Sequence, residues 1–419
     1  MKKYILTILS LLLLFSISFA EVDFKVHCSS AILINAKNGE ILYESNAYDK
    51  AYPASTTKVL TALIALQNEK DFSKEIIPSH YAVYSVPSGS SIAYFSEGEK
   101  LTFEQVLYGL LLPSGNDAAN ILAEDISGSI SKFVELMNDT AKDLGAKNTH
   151  FTNPSGIHDN DHYTTAYDLS LFAREAMKYD KFREIVSTYK YDMPSTNRSD
   201  EVRTFVNTNK LIHPSYQYTY EYATGMKTGY TSSARNCLIS SASRNGVDLI
   251  CVVLGGTTTD NNKSAIYTDS RNLLDYGFSC YKKSTIAHSG ELITQTTPKR
   301  AKDDATVVAL LKDNIRMVHK SDEEPTYTNI IELNENLTAP IQKDDVIGKI
   351  SYYNGDELIA ESKLIAGNSI EKEPWYSILI SFILKIIIFL FALLLTLILG
   401  ILIFNKILKI KNRNKERIF

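Results

Sequence analysis

Cysteine is scarce in this chain, net charge is small, and nothing repeats. Four cysteines stand among 419 residues, and acids and bases nearly cancel at a net charge of −4. The charges are interspersed, so no basic groove of the kind that grips nucleic acid is present. There is no internal repeat and no low-complexity tract, which excludes a solenoid or a linker-like chain. The length is too great for one ordinary domain and suffices for two with appendages.

Long hydrophobic runs are confined to the two ends. "MKKYILTILSLLLLFSISFA" opens with Lys2 and Lys3, continues with an apolar core and closes on the small-x-small site Ser18-Phe19-Ala20. That pattern reads as a secretory signal peptide cleaved after Ala20. The apolar run is short for a retained anchor. No cysteine follows the cut to carry a lipid. At the other end, Ser377–Phe404 holds Lys385 as its only charge, and Ile386–Phe404 is wholly uncharged. That run is close to the ~20 residues that cross a bilayer. Lys406, Lys409, Lys411, Arg413, Lys415 and Arg417 follow, which puts the tail in the cytoplasm. Trp375 and Tyr376 would sit at the outer interface.

An exported chain with an even cysteine count invites disulfides. Asn245-Gly246 reads as a two-residue hairpin turn between "NCLISSAS" and "VDLICVVLGG". Arg244 then faces Val247, and counting back puts Cys237 opposite Leu254, three residues from Cys251. An odd offset places these cysteines on opposite faces of the sheet, so they are expected as buried free thiols.

A second hairpin is signalled by Asn38-Gly39 in "SSAILINAKNGEILYESN". Helices and loops follow to about residue 220. Thr102 and Gln105 form a capping box, Pro113 and Gly115 break the chain, and Asp117 is positioned to cap the next helix. Asp168 is expected to cap another. "SRNLLDYGF" reads as a helix closing on the sheet. After Cys280, short alternating runs split by Asp, Asn and Gly indicate a small all-β module, and Ala366–Pro374 is a polar linker.

The chemistry gathers at "PASTTKVLTALIAL". Ser55 and Lys58 are three apart, which puts both on one face of a helix. The helix that follows is apolar nearly all round, so a lysine there is costly unless used. A serine needs a base within hydrogen-bond reach, and a desolvated, neutral lysine can serve. A helix N-terminus also offers N–H groups to a developing oxyanion. "PSGND" puts Ser114 and Asn116 in a break between helices, and "MKTGY" puts Lys227, Thr228 and Gly229 on a strand. Each motif is common alone. Their order and spacing together are those of β-lactamases and penicillin-binding proteins. "HDNDH" offers His158, Asp161 and His162, but an Asn/Asp-rich loop explains it better than a metal site, and no metal is expected.

"STTK", "PSGNDAAN", "FTNPSGIH…HYTTAYDL", "GMKTGYTSSA", "LLDYGF" and "PIQKDDVIGKISYY" stand in one order along nearly the whole mature chain. In this the sequence resembles the low-molecular-mass penicillin-binding proteins, the serine-type D-alanyl-D-alanine carboxypeptidases. The resemblance implies an α/β (α+β) transpeptidase-like catalytic domain, an antiparallel sheet flanked by helices, over 21–283. A β-sandwich over 284–368, a transmembrane helix over 377–404 and a basic tail over 405–419 would follow the signal peptide, 1–20. It also implies that Ser55 is acylated, Lys58 takes its proton, and Ser114 with Lys227 relays a proton to the departing D-alanine. Asn116 would hold the peptide amide, and Thr228, with help from Lys227, the terminal carboxylate. Gly229 lies in the same motif, and the N–H groups of Ser55 and Tyr230 would form the oxyanion hole. The partners would be peptidoglycan stem peptides ending in D-Ala-D-Ala and β-lactams as inhibitors, with no cofactor. The family often has a basic residue upstream of the closing helix. Here Arg271 lies nearer that helix, and Arg235 stands where a small residue is common. Two alternatives differ in activity. A β-lactamase of related fold would carry a Glu-x-x-x-Asn segment, which is not evident here, and a non-catalytic wall-binding scaffold would not need Ser55 and Lys58.

Overall fold

The computed structural model describes residues 24–415 except Asp260 and Asn262. The segment 1–20, expected above to be a signal peptide, and the last residues of the basic tail lie outside the described residues. The chain divides into two compact units, one reaching to Lys282 with Lys320–Glu323, the other comprising Lys283–His319 and Glu324 onward.

In the first unit, β1 (Ser30–Asn35) and β2 (Ile41–Ser45) form the hairpin turned at Asn38-Gly39. Helix α1 (Lys58–Asn68) follows a short 3-10 turn, Ala54–Thr57. Then come β3 (Glu75–Ile76), α2 (His80–Tyr84), β4 (Leu101–Thr102), α3 (Phe103–Leu111), α4 (Asn116–Ser127) and α5 (Ile130–Asp143). They lead through α6 (Ala166–Ala176), α7 (Asp180–Ser187), β5 (Lys190–Met193) and β6 (Arg203–Val206) to β7 (Ala223–Thr231), β8 (Arg235–Arg244) and β9 (Val247–Gly256). Helix α8 (Ala265–Ser279) closes the unit. The main sheet has the order β2-β1-β9-β8-β7, with antiparallel pairing throughout, so β7 is an edge strand.

Alternation along the strands loads both faces of this sheet. Ile32, Ile34, Ile239, Ile250 and Val252 join a large core with α1, α3, α4 and α6. Leu33, Leu249 and Cys251 turn toward α8, where a Cβ at Gly277 would meet Leu249 and Leu33 at 2.7 and 2.8 Å. Cys237 belongs to the first core, so it and Cys251 lie on opposite faces. All four thiols are free, three of them buried. The expected hairpin register holds from Arg244↔Val247 to Leu238↔Val253 and then slips at Cys237, since Asn236 pairs with Gly256. Helix α1 is enclosed on every side: Leu63, Ile64 and Ala65 are fully buried, and so is Lys58.

Two expected caps do other work. The box of Thr102 and Gln105 forms at α3. Asp117, however, lies inside α4, whose N-cap is Gly115. Its carboxylate accepts from the backbone N–H groups of Ala93 and Phe95 and ties down the preceding loop. At α6 the cap is Thr165, and Asp168 accepts from Asn148 N and Thr149 Oγ1 instead. In each case the acid lies just inside the helix and satisfies a neighbouring loop.

The second unit is built of strands. β10 (Tyr281–Ala287) pairs with β13 (Ile315–Lys320), and β11 (Leu292–Thr296), β12 (Val307–Leu311), β16 (Glu357–Ala366), β15 (Val346–Asn354) and β14 (Thr328–Leu333) form a five-stranded sheet in that order. Val307, Ala309, Ile350, Tyr352 and Leu364 fill its core. Helix α9 (Trp375–Lys415) follows.

Candidate active site

Ser55 stands in the 3-10 turn at the head of α1, and Lys58 begins the helix proper. The helical spacing brings Lys58 Nζ to 3.0 Å from Ser55 Oγ. The same nitrogen is 2.7 Å from Asn116 Oδ1 and 2.7 Å from the carbonyl oxygen of Ser155. Lys58 is fully buried, and burial, followed by the nearby charge of Lys227, drives its pKa well below the ordinary lysine value, with Asp117 opposing. Asp117 is itself pushed up by burial, although backbone N–H groups pull it back.

The contacts decide what a neutral amine can do. It has two N–H donors and one lone pair. Asn116 Oδ1 and Ser155 O are pure acceptors and take both donors. The lone pair is left for the third neighbour, the hydroxyl of Ser55. In its neutral form the amine could therefore act as a base toward the serine hydroxyl.

Asn116 is the first residue of α4, and the Pro113–Gly115 break before it carries Ser114 at φ 69°. A serine in that left-handed region is uncommon, and the N–H groups of Gly115 and Asn116, bonded to Gly109 O and Ser91 O, hold the turn. Lys227 is fully buried on β7, donates to the carbonyl of Thr228 at 2.9 Å, and is pushed down to about 7 by burial. Thr228 Oγ1 lies 2.6 Å from Thr208 Oγ1. At Gly229 the edge strand passes so close to the serine turn that a Cβ would lie 2.8 Å from Ser55 N.

Ser55, Ser114, Asn116, Thr228, Gly229 and Tyr230 line one cleft of about 540 Å³, with Lys58 and Lys227 buried against it. All eight sequence candidates thus meet in one place. Arg235 and Arg271 do not join them. Arg235 sits at φ 58° at the start of β8, and Arg271 lies over the Tyr220 ring. Among the described residues that line the cleft the one lysine or arginine is Lys210, and none is Asp or Glu. Sequence reasoning missed Lys210, Thr208 and the carbonyl of Ser155. A backbone carbonyl leaves no signature in residue type, and "NTNK" carries no motif. Of the "HDNDH" residues, His162 turns to Thr57, His158 packs edge-on against Tyr52 and Asp161 is exposed. Among the described residues no group of His, Cys, Asp and Glu could hold a metal.

A serine beside a buried lysine at the head of a central helix, facing the edge strand of an antiparallel sheet, marks a serine peptidase of the penicillin-binding class. Residues 17–258 match the family model D-alanyl-D-alanine carboxypeptidase, and residues 281–372 match that of the penicillin-binding protein 5 C-terminal domain. D-alanyl-D-alanine carboxypeptidase DacF of Bacillus subtilis is 32% identical over 90% of this chain and 97% of its own length. The crystal structure of DacD from Francisella tularensis superposes with a TM-score of 0.58 at 26% identity, covering 87% of this chain and 98% of that one. The DD-transpeptidase of Streptomyces K15 superposes at 0.56 with 32% identity, covering 62% of this chain and all of its own. The chain belongs to the D-alanyl-D-alanine carboxypeptidase family, a family of serine-type peptidases.

Proposed function

We propose that this enzyme removes the terminal D-alanine from peptidoglycan stem peptides through an acyl-enzyme on Ser55. One observation carries the reading: Lys58 Nζ, fully buried, lies 3.0 Å from Ser55 Oγ and 2.7 Å from each of two carbonyl oxygens, so that as a neutral amine it keeps its lone pair for the serine. Lys58 takes the serine proton as Oγ attacks the carbonyl carbon of the penultimate D-alanine. The N–H groups of Ser55 and Tyr230 receive the oxyanion. Ser114, with Lys227 behind it, passes a proton to the nitrogen of the leaving D-alanine as the C–N bond breaks. Water then hydrolyses the ester, returning the proton to Ser55. Asn116 orients the peptide amide. Thr228, with help from Lys227, binds the terminal carboxylate.

β-Lactams acylate the same serine. None of the described residues lining the cleft is an Asp or Glu that would activate water rapidly, so a long-lived adduct is expected. This favours a carboxypeptidase over a β-lactamase. We further infer that residues 1–20 direct export, that the catalytic unit acts outside the cytoplasmic membrane, and that α9 anchors it there. Mass spectrometry of the penicillin-labelled protein tests the assignment. The adduct is expected on Ser55, and D-alanine release from a diacylated tripeptide ending in D-Ala-D-Ala is expected to vanish in Ser55→Ala. Equal release from both proteins would overturn the reading.

A further inference from the structure

His162 is 2% exposed, 107 residues beyond the serine in sequence, and has no part in the mechanism above. Its ring bridges the two segments that hold the Ser55–Lys58 pair. On one side Nδ1 lies 3.1 Å from Thr152 N. A backbone N–H can only donate, so Nδ1 is the unprotonated acceptor. In the neutral ring the proton is therefore on Nε2, a tautomer assigned from the network. Nε2 lies 2.9 Å from Thr57 Oγ1 and donates to it, and Thr57 Oγ1 donates in turn to the carbonyl of Ala54, also at 2.9 Å.

Both ends of this chain of hydrogen bonds matter. Ala54, immediately before Ser55, sits at φ 47°, a conformation a non-glycine residue adopts only when its surroundings hold it. Thr152 opens the loop whose Ser155 carbonyl takes one N–H of Lys58. That loop is pressed on the serine turn, since a Cβ at Gly156 would stand 1.9 Å from Ala54 O and 2.9 Å from Thr57 Oγ1. Asn153 braces the loop from within by accepting from the N–H groups of Ser155, Gly156 and Ile157. The edge of the Phe151 ring packs against the imidazole. The charged and titratable groups around it are Asp159, which favours its charged form, and His150, His158 and Lys58, which with burial oppose it. A neutral ring is what the two hydrogen bonds require.

The geometry points to His162 as a positioning residue: through Thr57 it fixes the turn that aims Ser55, and through Thr152 the loop that aims Lys58. This rests on Ser55 and Lys58 being the nucleophile and its base. The role is mechanical, so its removal should slow acylation without weakening substrate binding.

The full-length protein in detergent tests this with Thr57→Val, Thr57→Ser, His162→Gln and the double variant Thr57→Val/His162→Gln. Fluorescent-penicillin acylation, kcat and KM for the diacylated tripeptide, and melting temperature are measured on each. Misplacing a reacting group by a fraction of an ångström is expected to lower acylation and kcat by roughly ten- to a hundredfold in Thr57→Val and His162→Gln, with KM within about twofold. Thr57→Ser keeps the hydroxyl and should stay within about threefold of wild type. The double variant should be no slower than the slower single one, because both cut the same chain. Folded single variants that acylate at the wild-type rate would overturn the proposal, as would losses that multiply in the double variant or appear in KM alone. A wild-type adduct found away from Ser55 would instead overturn the assignment of the nucleophile.

Discussion

At the scale of single residues the site disfavours the charged forms of its buried bases. Lys58 loses its proton easily because it is buried and because Lys227 lies close. Lys227→Gln removes that second cause. The ammonium form of Lys58 is then less disfavoured, its pKa rises, and the acid limb of the acylation rate moves to higher pH. A pH–rate profile with a β-lactam checks this, and an unmoved limb would show that burial alone sets the base. His162 obeys the same rule. Burial lowers it from 6.5 to about 4, so the folded state holds it neutral while the unfolded chain protonates it below 6.5. Its neutral fit is intact above 6.5, and the fold loses on the order of 3 kcal/mol as pH falls from there through 4. Melting temperatures measured down that range should drop less steeply for His162→Gln. Ser55 and Lys58 were legible in the sequence because helical spacing translates directly into proximity. His162 was legible as a residue but not as a brace, because nothing in "HDNDH" reveals that its partner is Thr57.

At the scale of elements the site exists because a helix head, an inter-helix break and an edge strand converge. The strand's contribution is a clearance. Gly229 lets β7 pass beside the serine turn, where a methyl group would meet Ser55 N at 2.8 Å and Pro53 O and Thr56 N at 3.0 Å. Gly229→Ala is therefore expected to lower acylation at least a hundredfold by pushing the strand from the turn, with a stability cost of about 1–3 kcal/mol. Acylation kinetics read beside the melting temperature separate the two effects, and wild-type kinetics would count against an oxyanion site between β7 and Ser55. Thr102→Ala provides the contrast. It removes the side-chain half of the capping box of α3, should cost about 1 kcal/mol, and should leave kcat/KM unchanged. Helices and hairpins were readable because periodicity, capping boxes and Asn-Gly turns are local signals. Asp117 and Asp168 were not, because their partners, backbone N–H groups and, for Asp168, also the Thr149 hydroxyl, belong to loops distant in sequence. The slip of register at Cys237 is likewise set by the third dimension rather than by the turn.

At the scale of the whole molecule, the cleft and the long apolar helix occupy separate stretches of chain. The cleft residues fall between Ser55 and Tyr267, whereas among the described residues one helix is long and apolar enough to cross a membrane, Phe382–Leu408, and its side chains are exposed. A soluble surface does not tolerate so many exposed Leu, Ile and Phe side chains in one contiguous face. The length exceeds the ~20 residues a bilayer needs. On the proposed reading the helix sits in lipid and the cleft takes a peptide. Ending the chain after Glu373 should therefore move the protein from the membrane to the soluble fraction and leave kcat/KM for a soluble diacylated tripeptide within about twofold, because no group that touches the reacting atoms is lost. Fractionation and D-alanine release from the same preparation check both halves. A shortened chain that still sediments with membranes would place the anchor elsewhere, and one that turns soluble but loses activity toward the small peptide would tie the helix to the fold of the catalytic unit.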